Sequence, residues 1–328
     1  MPAGALLQSG PPDGVPPLYR CDDMLKFVLK RILMLIPVIL GIVLIVFTIM
    51  YLTPGDPARL ILGEKAPQEQ VDVLRDQMGL NDPFVVQFAR YVGNMLRGDM
   101  GRSYATNIPV AETIAERFPK TAELALAGMF LSVLIGMPIG ILSAVKRYSV
   151  LDNISMIFAM LATAIPAFWL GMMLIIAFSL NLKWFPSSGF DTFRQMVLPT
   201  VTLAAVNAAV IIRMTRSSML EVIRQDYIRT AWAKGADQKR VVLGHALKNS
   251  IIPVITVIGI NFGSLLGGAV VTETVFGIPG LGTAMVNAIR MKDNPLVLGS
   301  VVYIAIVFSL VNLAVDIIYA LIDPRLRE

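Results

Sequence analysis

The sequence predicts an all-α integral membrane protein with six transmembrane helices. Of its 328 residues, 55% are hydrophobic and 16% are charged, against about 45–50% and about 25% in soluble domains. The apolar residues are also concentrated in long blocks that contain no Asp, Glu, Lys or Arg. A helix of about 18 or more such residues can cross the hydrocarbon core of a bilayer, whereas helices of soluble cores are usually shorter.

Six of these blocks follow one another along the chain. They are Ile32–Leu52, Leu124–Val145, Ile154–Leu182, Gln195–Ile212, Asn249–Thr272 and Asn294–Val315. The third block is long enough for a tilted helix with an interfacial tail, and the fourth is marginal at 18 residues. The first exceeds the roughly 7–15 apolar residues of a cleaved signal peptide, which favours a retained signal-anchor.

The segments around these blocks define the predicted organisation. Residues 1–23 are rich in Pro and Gly without periodicity and are predicted to be a disordered tail. The first transmembrane helix occupies 24–53, and the polar segment 54–117 forms an extracytoplasmic cap with short helices of its own. A five-helix core follows over 118–322, with a cytoplasmic tail at 323–328.

The distribution of basic residues predicts that both termini are cytoplasmic. With that orientation, the four cytoplasmic segments carry 16 Lys and Arg residues in total. The two short outer loops, 183–194 and 273–293, carry only two each. Short loops rich in Lys and Arg stay on the cytoplasmic side, whereas long segments such as the cap cross largely regardless of charge. Because the basic residues flank membrane spans, they indicate topology and not a nucleic-acid surface.

The cytoplasmic loop 213–250 is predicted to be more than a connector, since it carries eight basic and three acidic residues. Apolar residues recur every four positions in its first part, which predicts one amphipathic helix that ends near Gly235. These apolar positions are Met219, Ile223, Tyr227 and Ala231. The arginines expected on the other faces are Arg216, Arg224 and Arg229. A second short helical run is expected after Gly235.

The fifth block contains a stripe of small residues at Gly259, Gly263 and Gly267. Glycines four residues apart lie on one helix face and allow another helix to approach closely. Two interpretations remain open: packing within this chain, or packing against a helix of a partner subunit.

Several kinds of chemistry have no support in the sequence. There is no Gly-x-x-x-x-Gly-Lys-Ser/Thr motif, so the chain is not expected to hydrolyse ATP. Gly277–Gly282 is glycine-rich but lacks the dinucleotide-binding order, which favours a tight outer turn. With one Cys and one His, His245, neither an intramolecular disulfide nor a two-histidine metal site can form, and no catalytic residue or metal site is predicted.

Ionisable residues inside the spans would indicate an ion-coupled transporter. Here the charges lie near span ends, as with Glu123 and Glu273, and Asp316 is the deepest. Asp316 is interpreted as a paired structural carboxylate or, as the alternative, a proton relay. Without a charge network or an ATP site, the energy source is expected on another chain.

An ordered series of motifs resembles the binding-protein-dependent permeases of ABC importers, in the first permease type of the peptide/nickel branch. The motifs are Pro54-Gly55-Asp56-Pro57, Gly79-Leu80-Asn81-Asp82-Pro83, Gly98-Asp99-Met100-Gly101, Arg117-Phe118-Pro119-Lys120-Thr121, Asp226–Gly235, His245–Asn249, Phe276–Gly282 and Asp323-Pro324-Arg325. The resemblance covers residues 24–328 and implies a type I importer fold in the cell's inner membrane. It also implies four kinds of interaction: with a second homologous permease, with two ATPase subunits that bind ATP and Mg, with an extracytoplasmic solute-binding protein, and with membrane lipid.

The resemblance further implies that loop 213–250 couples this chain to the ATPases. The coupling residues carried over are Asp226, Arg229, Thr230, Ala231, Lys234, Gly235 and Ala236. Thr230-Ala231-Trp232 replaces the Glu-Ala-Ala that begins the general motif, so the acidic contact is absent or moved, and Asp226 is a candidate substitute. No cofactor is expected on this chain, and the sequence does not indicate which residues bind substrate.

The resemblance implies that the substrates are di- or oligopeptides, or a related small solute such as glutathione. Nickel or another solute of the same family is the first alternative. A stand-alone secondary transporter or channel is disfavoured by the charge-free spans, and a membrane enzyme or assembly scaffold by the lack of any catalytic constellation.

Overall fold

The computed structural model of the chain describes residues 21–322 except 54 and 64. Apart from one isolated β-bridge between Arg102 and Pro109, every regular element in this part is a helix. The α-helices are α1 (Cys21–Leu52), α2 (Pro57–Leu62), α3 (Gln68–Met78), α4 (Phe84–Leu96), α5 (Val110–Val145), α6 (Val150–Ala164), α7 (Ala167–Leu174), α8 (Phe193–Ile223), α9 (Asp226–Ala233), α10 (Leu247–Gly268), α11 (Val270–Phe276), α12 (Leu281–Arg290) and α13 (Asn294–Ile322), with π-helical segments at Ile175–Asn181 and Arg240–Ala246. The predicted all-α fold of apolar membrane-crossing helices is confirmed.

Some element bounds differ from the expected ones. Helix α1 begins at Cys21, so the last three residues of the segment expected to be disordered are helical. The other residues of that segment, 1–20, and the expected tail 323–328 lie outside the described residues. Helix α5 begins at Val110, and the last part of the expected cap segment is therefore the first two turns of a bundle helix.

Five helical stretches of the described chain are long and apolar enough to cross a membrane: α1, α5, α8, α10 with its preceding π-helical turn, and α13. The third predicted span differs, because α6 and the segment from α7 to Asn181 meet at 102°. The break lies at Ile165, whose backbone is extended, and Pro166. A proline ring disfavours helical geometry in the preceding residue, which explains the bend. The prediction of one tilted helix with an interfacial tail is wrong here.

Helices α5 and α8 pack tightly in parallel. Three glycines of α5, at positions 128, 136 and 140, face residues of α8 that are each 75 positions later in the chain, namely Leu203, Ile211 and Thr215. A β-carbon on Gly140 would lie 2.6 Å from Cβ of Thr215. Since the offset is constant, the helices run in the same direction. The bent pair must therefore return the chain to the starting end of the bundle. Counted as one broken span, it brings the candidate crossings among the described residues to six.

The glycine stripe of α10 packs against α13 of the same chain. A β-carbon on Gly259, Gly263 or Gly267 would lie 2.1, 2.8 or 3.1 Å from Val315, Phe308 or Ile304, respectively. The residue numbers of the partners on α13 fall as those of the glycines on α10 rise, so the two helices are antiparallel. This close approach matches the intrachain interpretation of the stripe.

The short helices α2–α4 form a cap at one end of the bundle. Rings of Phe84 and Phe88 on α4 meet Phe47 of α1 edge-on, each at 5.5 Å between centroids. The loop that follows the cap helices is joined to the start of α13 through Asp293, which is buried. The Asp293 carboxylate accepts hydrogen bonds from the Ser103 hydroxyl at 2.5 Å and the Tyr104 amide at 3.0 Å. The end of α1 and the start of α13 thus lie at this cap end, while the chain between α8 and α10 lies at the opposite, loop end.

Candidate docking surface at the loop end

The loop between α8 and α10 forms two helices where one was predicted. Helix α8 continues from the fourth span to Ile223, and α9 then begins at Asp226. Between them Gln225 has an extended backbone, with φ −71° and ψ 150°. The prediction of one continuous amphipathic helix to Gly235 is therefore wrong. Residues on both sides of the break, such as Met219 and Ala231, pack in one apolar cluster, which explains why their spacing suggested a single helix.

One face of α9 is anchored in that cluster. Ile228 is fully buried, and Ala231 is partly buried beside it. The buried residues around them come from α5, α8 and the following π-helical segment and are Ala144, Met219, Val241 and Ala246. Helix α9 is thus fixed to the ends of the long helices. Tyr227, which the spacing assigned to the apolar stripe, is instead 46% exposed.

The opposite face of α9 is open. The side chains of Asp226 and Arg229 are 97% and 77% exposed, and their nearest charged atoms are 3.9 Å apart. Trp232, one helical turn after Ile228, is 45% exposed. Exposed Trp and Arg side chains are typical of the energetic centre of protein–protein interfaces. This face of α9 is the docking surface considered below.

The remaining predicted site residues lie at the end of α9. The Thr230 hydroxyl donates to the Asp226 carbonyl at 3.0 Å, so it is used within the helix. Lys234 caps the helix, and the amide of Ala236 donates to the Ala231 carbonyl at 3.2 Å. Gly235 has a φ of +79°, the left-handed conformation that favours glycine, and a β-carbon there would meet no atom of this chain within 4 Å.

A buried ion pair, not found from the sequence, holds α8 near this surface. Asp152 of α6 is 1% exposed and accepts two hydrogen bonds from Arg216 of α8, at 2.6 and 2.8 Å. It also accepts from the Tyr148 amide at 3.0 Å. Arg216 was expected on a polar face, but its side chain is only 21% exposed. The pattern Ser149-Val150-Leu151-Asp152 before an apolar run is a capping signature that could have located the acidic partner.

The predicted tight turn at Gly277–Gly282 surrounds a second buried carboxylate at the cap end. Glu273 is fully buried and accepts from the Thr121 hydroxyl at 2.7 Å and the Thr283 amide at 2.8 Å. A β-carbon on Gly280 would lie 2.5 Å from this carboxylate. Glycine is therefore required by the close approach, and the turn has a structural role.

The deepest charge, Asp316, pairs with Arg31 of α1 at 3.0 Å, as the paired-carboxylate interpretation expects. Among the residues that the structure describes, no three His, Cys, Asp or Glu side chains are grouped closely enough to hold a metal ion.

Two family models match consecutive parts of the chain. One, described as the N-terminal part of the membrane component of binding-protein-dependent transport systems, matches residues 24–125. The other, described as the binding-protein-dependent transport system inner membrane component, matches residues 136–328. The chain belongs to this family. The resemblance inferred from the motifs is thereby confirmed, and the docking surface lies within the second match.

Curated relatives extend over nearly the whole permease. This chain is 45% identical over 304 residues to the glutathione transport system permease protein GsiC of Salmonella paratyphi A. The aligned residues cover 93% of this chain and 99% of that protein. GsiC of Escherichia coli strain K12 is 43% identical over the same coverage.

A solved chain of the MetNI methionine ABC transporter, in an inward facing conformation, has the same fold. It has a TM-score of 0.52 and 21% identity, and it covers 65% of this permease and 97% of its own length. The protein is thus a multi-pass inner membrane permease with the type I importer fold.

Proposed function

We propose that this permease imports di- or oligopeptides, or a related solute such as glutathione, as one subunit of an ATP-driven transporter. The observation that carries the substrate class is the 43–45% identity to glutathione permeases over 99% of their length. The fold similarity to MetNI concerns architecture alone. An extracytoplasmic binding protein delivers the solute, and a second homologous permease completes the membrane pathway.

The docking surface on α9 contacts one of two ATPase subunits, which bind and hydrolyse ATP with Mg. Support comes from its anchored inner face and its exposed Arg229 and Trp232. Eight basic and three acidic residues in loop 213–250 favour a partner groove with acidic residues at its edge.

The loop end is the cytoplasmic end in this proposal. It carries the dense basic charge that favours the cytoplasmic side. The start of α1 and the end of α13 lie at the same end, so both termini are cytoplasmic.

Reconstituted transport tests the proposal. Vesicles that contain both permeases and the ATPases should accumulate labelled glutathione or dipeptide only with ATP inside and binding protein outside. Loaded binding protein should raise ATP hydrolysis, and a nickel chelate added in place of peptide should not be accumulated. Uptake by this chain alone, driven by an ion gradient, would instead show a secondary transporter.

A further inference from the structure

Helix α4 of the cap packs against α1 at a depth that belongs to the first membrane span. The ring of Phe47 on α1 meets the rings of Phe84 and Phe88, each at 5.5 Å between centroids. The ring of Tyr51 meets that of Phe84 at 5.1 Å. The charge-free block continues past these contacts to Leu52, and at 1.5 Å per helical residue Phe47 lies about 7 Å inside the end of that block. The start of α4 is therefore at the level where α1 leaves the apolar layer.

The end of α4 lies at the same level. Met100, which follows the end of the helix, packs on the same apolar cluster as Met50 of α1. A β-carbon on Gly101 would lie 3.7 Å from Pro295 near the start of α13. A helix of 13 residues is about 20 Å long, so a helix along the membrane normal would carry its end far from this level. Helix α4 thus runs close to parallel to the membrane plane.

One side of α4 is polar. Gln87, Arg90 and Asn94 recur at three- and four-residue spacing, which places them on one helix face. All three line a cavity between the cap helices and the bundle, and Asp56 beyond the end of α1 lines it as well. Arg90 also pairs with Asp82 in the turn before the helix. This side of α4 therefore faces away from the apolar layer and toward polar groups.

The opposite side of α4 is apolar and uncovered. Val85 and Leu96 are 71% and 79% exposed, and Ala89 between them is also exposed. With 3.6 residues per turn, the stripe formed by these three side chains lies about 150° around the helix from the polar side. It contains no charged residue. At the same level of the bundle, exposed Ile49 and Leu52 of α1 show that the surroundings are apolar there.

We propose that α4 is an interfacial helix, embedded in the membrane leaflet at the cap end, whose stripe of Val85, Ala89 and Leu96 contacts the acyl chains of phospholipids. Helices of this kind lie in the membrane plane and bury their apolar face about 5–10 Å into the boundary between headgroups and acyl chains. The orientation, the depth and the two opposed faces of α4 match this arrangement. Depth favours lipid over a soluble partner, because such a partner would have to reach the level of the last turns of α1. Lipid contact then holds the cap to the bilayer beside α1.

Fluorescence quenching tests the contact in the complex in which the full-length chain is purified, reconstituted into nanodiscs of phosphatidylethanolamine and phosphatidylglycerol. Cys21 is the only cysteine of the chain. In a Cys21→Ser background, Val85→Cys and Leu96→Cys are each labelled with the fluorophore NBD. Lipids with a doxyl group near the headgroup end of the acyl chain should quench both positions several-fold more than aqueous iodide does.

Two control positions should show the reverse order. Asn94→Cys places the same label on the polar side of α4, and Gln70→Cys places it on an exposed residue of α3. Iodide should quench both more than the doxyl lipid. If iodide quenched positions 85 and 96 as strongly as position 70, the stripe would lie in water and the proposal would be wrong. If neither reagent reached positions 85 and 96, a protein would cover the stripe, which would also overturn the proposal.

A charge on the stripe gives a second test that does not depend on the label positions above. With NBD on Ala89→Cys, the added substitution Leu96→Asp should raise iodide quenching several-fold, because an ionised carboxylate is unfavourable among acyl chains and draws the helix toward water. Asn94→Asp adds the same charge to the polar side and should leave quenching at position 89 unchanged. Equal effects of the two substitutions would contradict the embedding of this face.

Discussion

At Gly235, the need for glycine in the turn backbone can be distinguished from a need for close contact with a docked partner. Its φ of +79° disfavours any side chain, yet a β-carbon there would meet nothing within this chain. Alanine in this conformation costs about 1–2 kcal/mol, whereas asparagine tolerates it better and is larger. If an ATPase packs against Gly235, Gly235→Asn should lower uptake more than Gly235→Ala, by about tenfold, which corresponds to about 1.4 kcal/mol of docking free energy. Initial uptake rates in vesicles, normalised to inserted protein, measure this.

Gly244 provides the matched control for that prediction. It lies in the same loop, is exposed, has no positive φ, and would also accept a β-carbon without contact. Gly244→Asn should therefore leave uptake near wild type. If Gly235→Asn retained at least as much uptake as Gly235→Ala, the glycine would serve only the turn.

At the scale of elements, composition predicts the membrane helices well but not where they bend or break. Charge-free blocks predict long membrane helices because the bilayer core excludes charged side chains. The absence of charge can be read from consecutive residues, without knowledge of the fold. The break before Asp226 could not be predicted from the same evidence, since Ile228 joins the cluster around Met219 only after the chain has folded back. The bend at Pro166 had a local signal, but proline is also tolerated inside continuous spans, as at Pro199 in α8.

The Asp152–Arg216 pair should fix α6 against α8 about two turns before α8 ends. Asp152→Asn leaves a mostly buried guanidinium without its counter-charge. Removal of one partner of a fully buried pair costs about 3–5 kcal/mol, and the 21% exposure of Arg216 lowers this to about 2–3 kcal/mol. We expect a melting temperature several degrees lower for the purified complex, together with less solute imported per ATP hydrolysed.

The exposed pair on α9 is the control for this effect. Asp226 and Arg229 are both largely in solvent, where ion pairs contribute little to stability. Asp226→Asn should leave melting unchanged while reducing uptake, because this residue belongs to the docking surface. An equal loss of melting temperature in both variants would show that the buried pair has no special role in holding α6.

At the scale of the whole molecule, the register of α5 against α8 decides the topology. Hydropathy alone could not distinguish a broken span from a re-entrant loop for residues 150–181, since both have the same composition. Packing does so, because the constant offset between Gly128, Gly136 and Gly140 and their partners requires parallel helices. The cavity of about 1030 Å³ between the cap helices, the end of α1 and the start of α13 was equally invisible to sequence reasoning. Its walls come from segments more than 200 positions apart, including Phe47 and Leu298.

Cysteine labelling can test the six crossings directly. In a Cys21→Ser background, single cysteines replace three exposed residues: Gln70 of the cap, Ser188 after the bent pair, and Gln238 of the loop. If the bent pair crosses the membrane, a membrane-impermeant maleimide should label positions 70 and 188 from the same side. Position 238 should be labelled only from the opposite side, in inverted vesicles.

The position after the bent pair is the decisive one. A re-entrant loop would return the chain to the side it came from, so position 188 would be labelled together with position 238. That outcome would contradict the parallel packing of α5 and α8, because α8 would then have to start at the loop end. Labelling at 188 with the cap, in variants that still support uptake, would establish that the bent pair crosses the membrane and that the docking surface lies on the side opposite the cap.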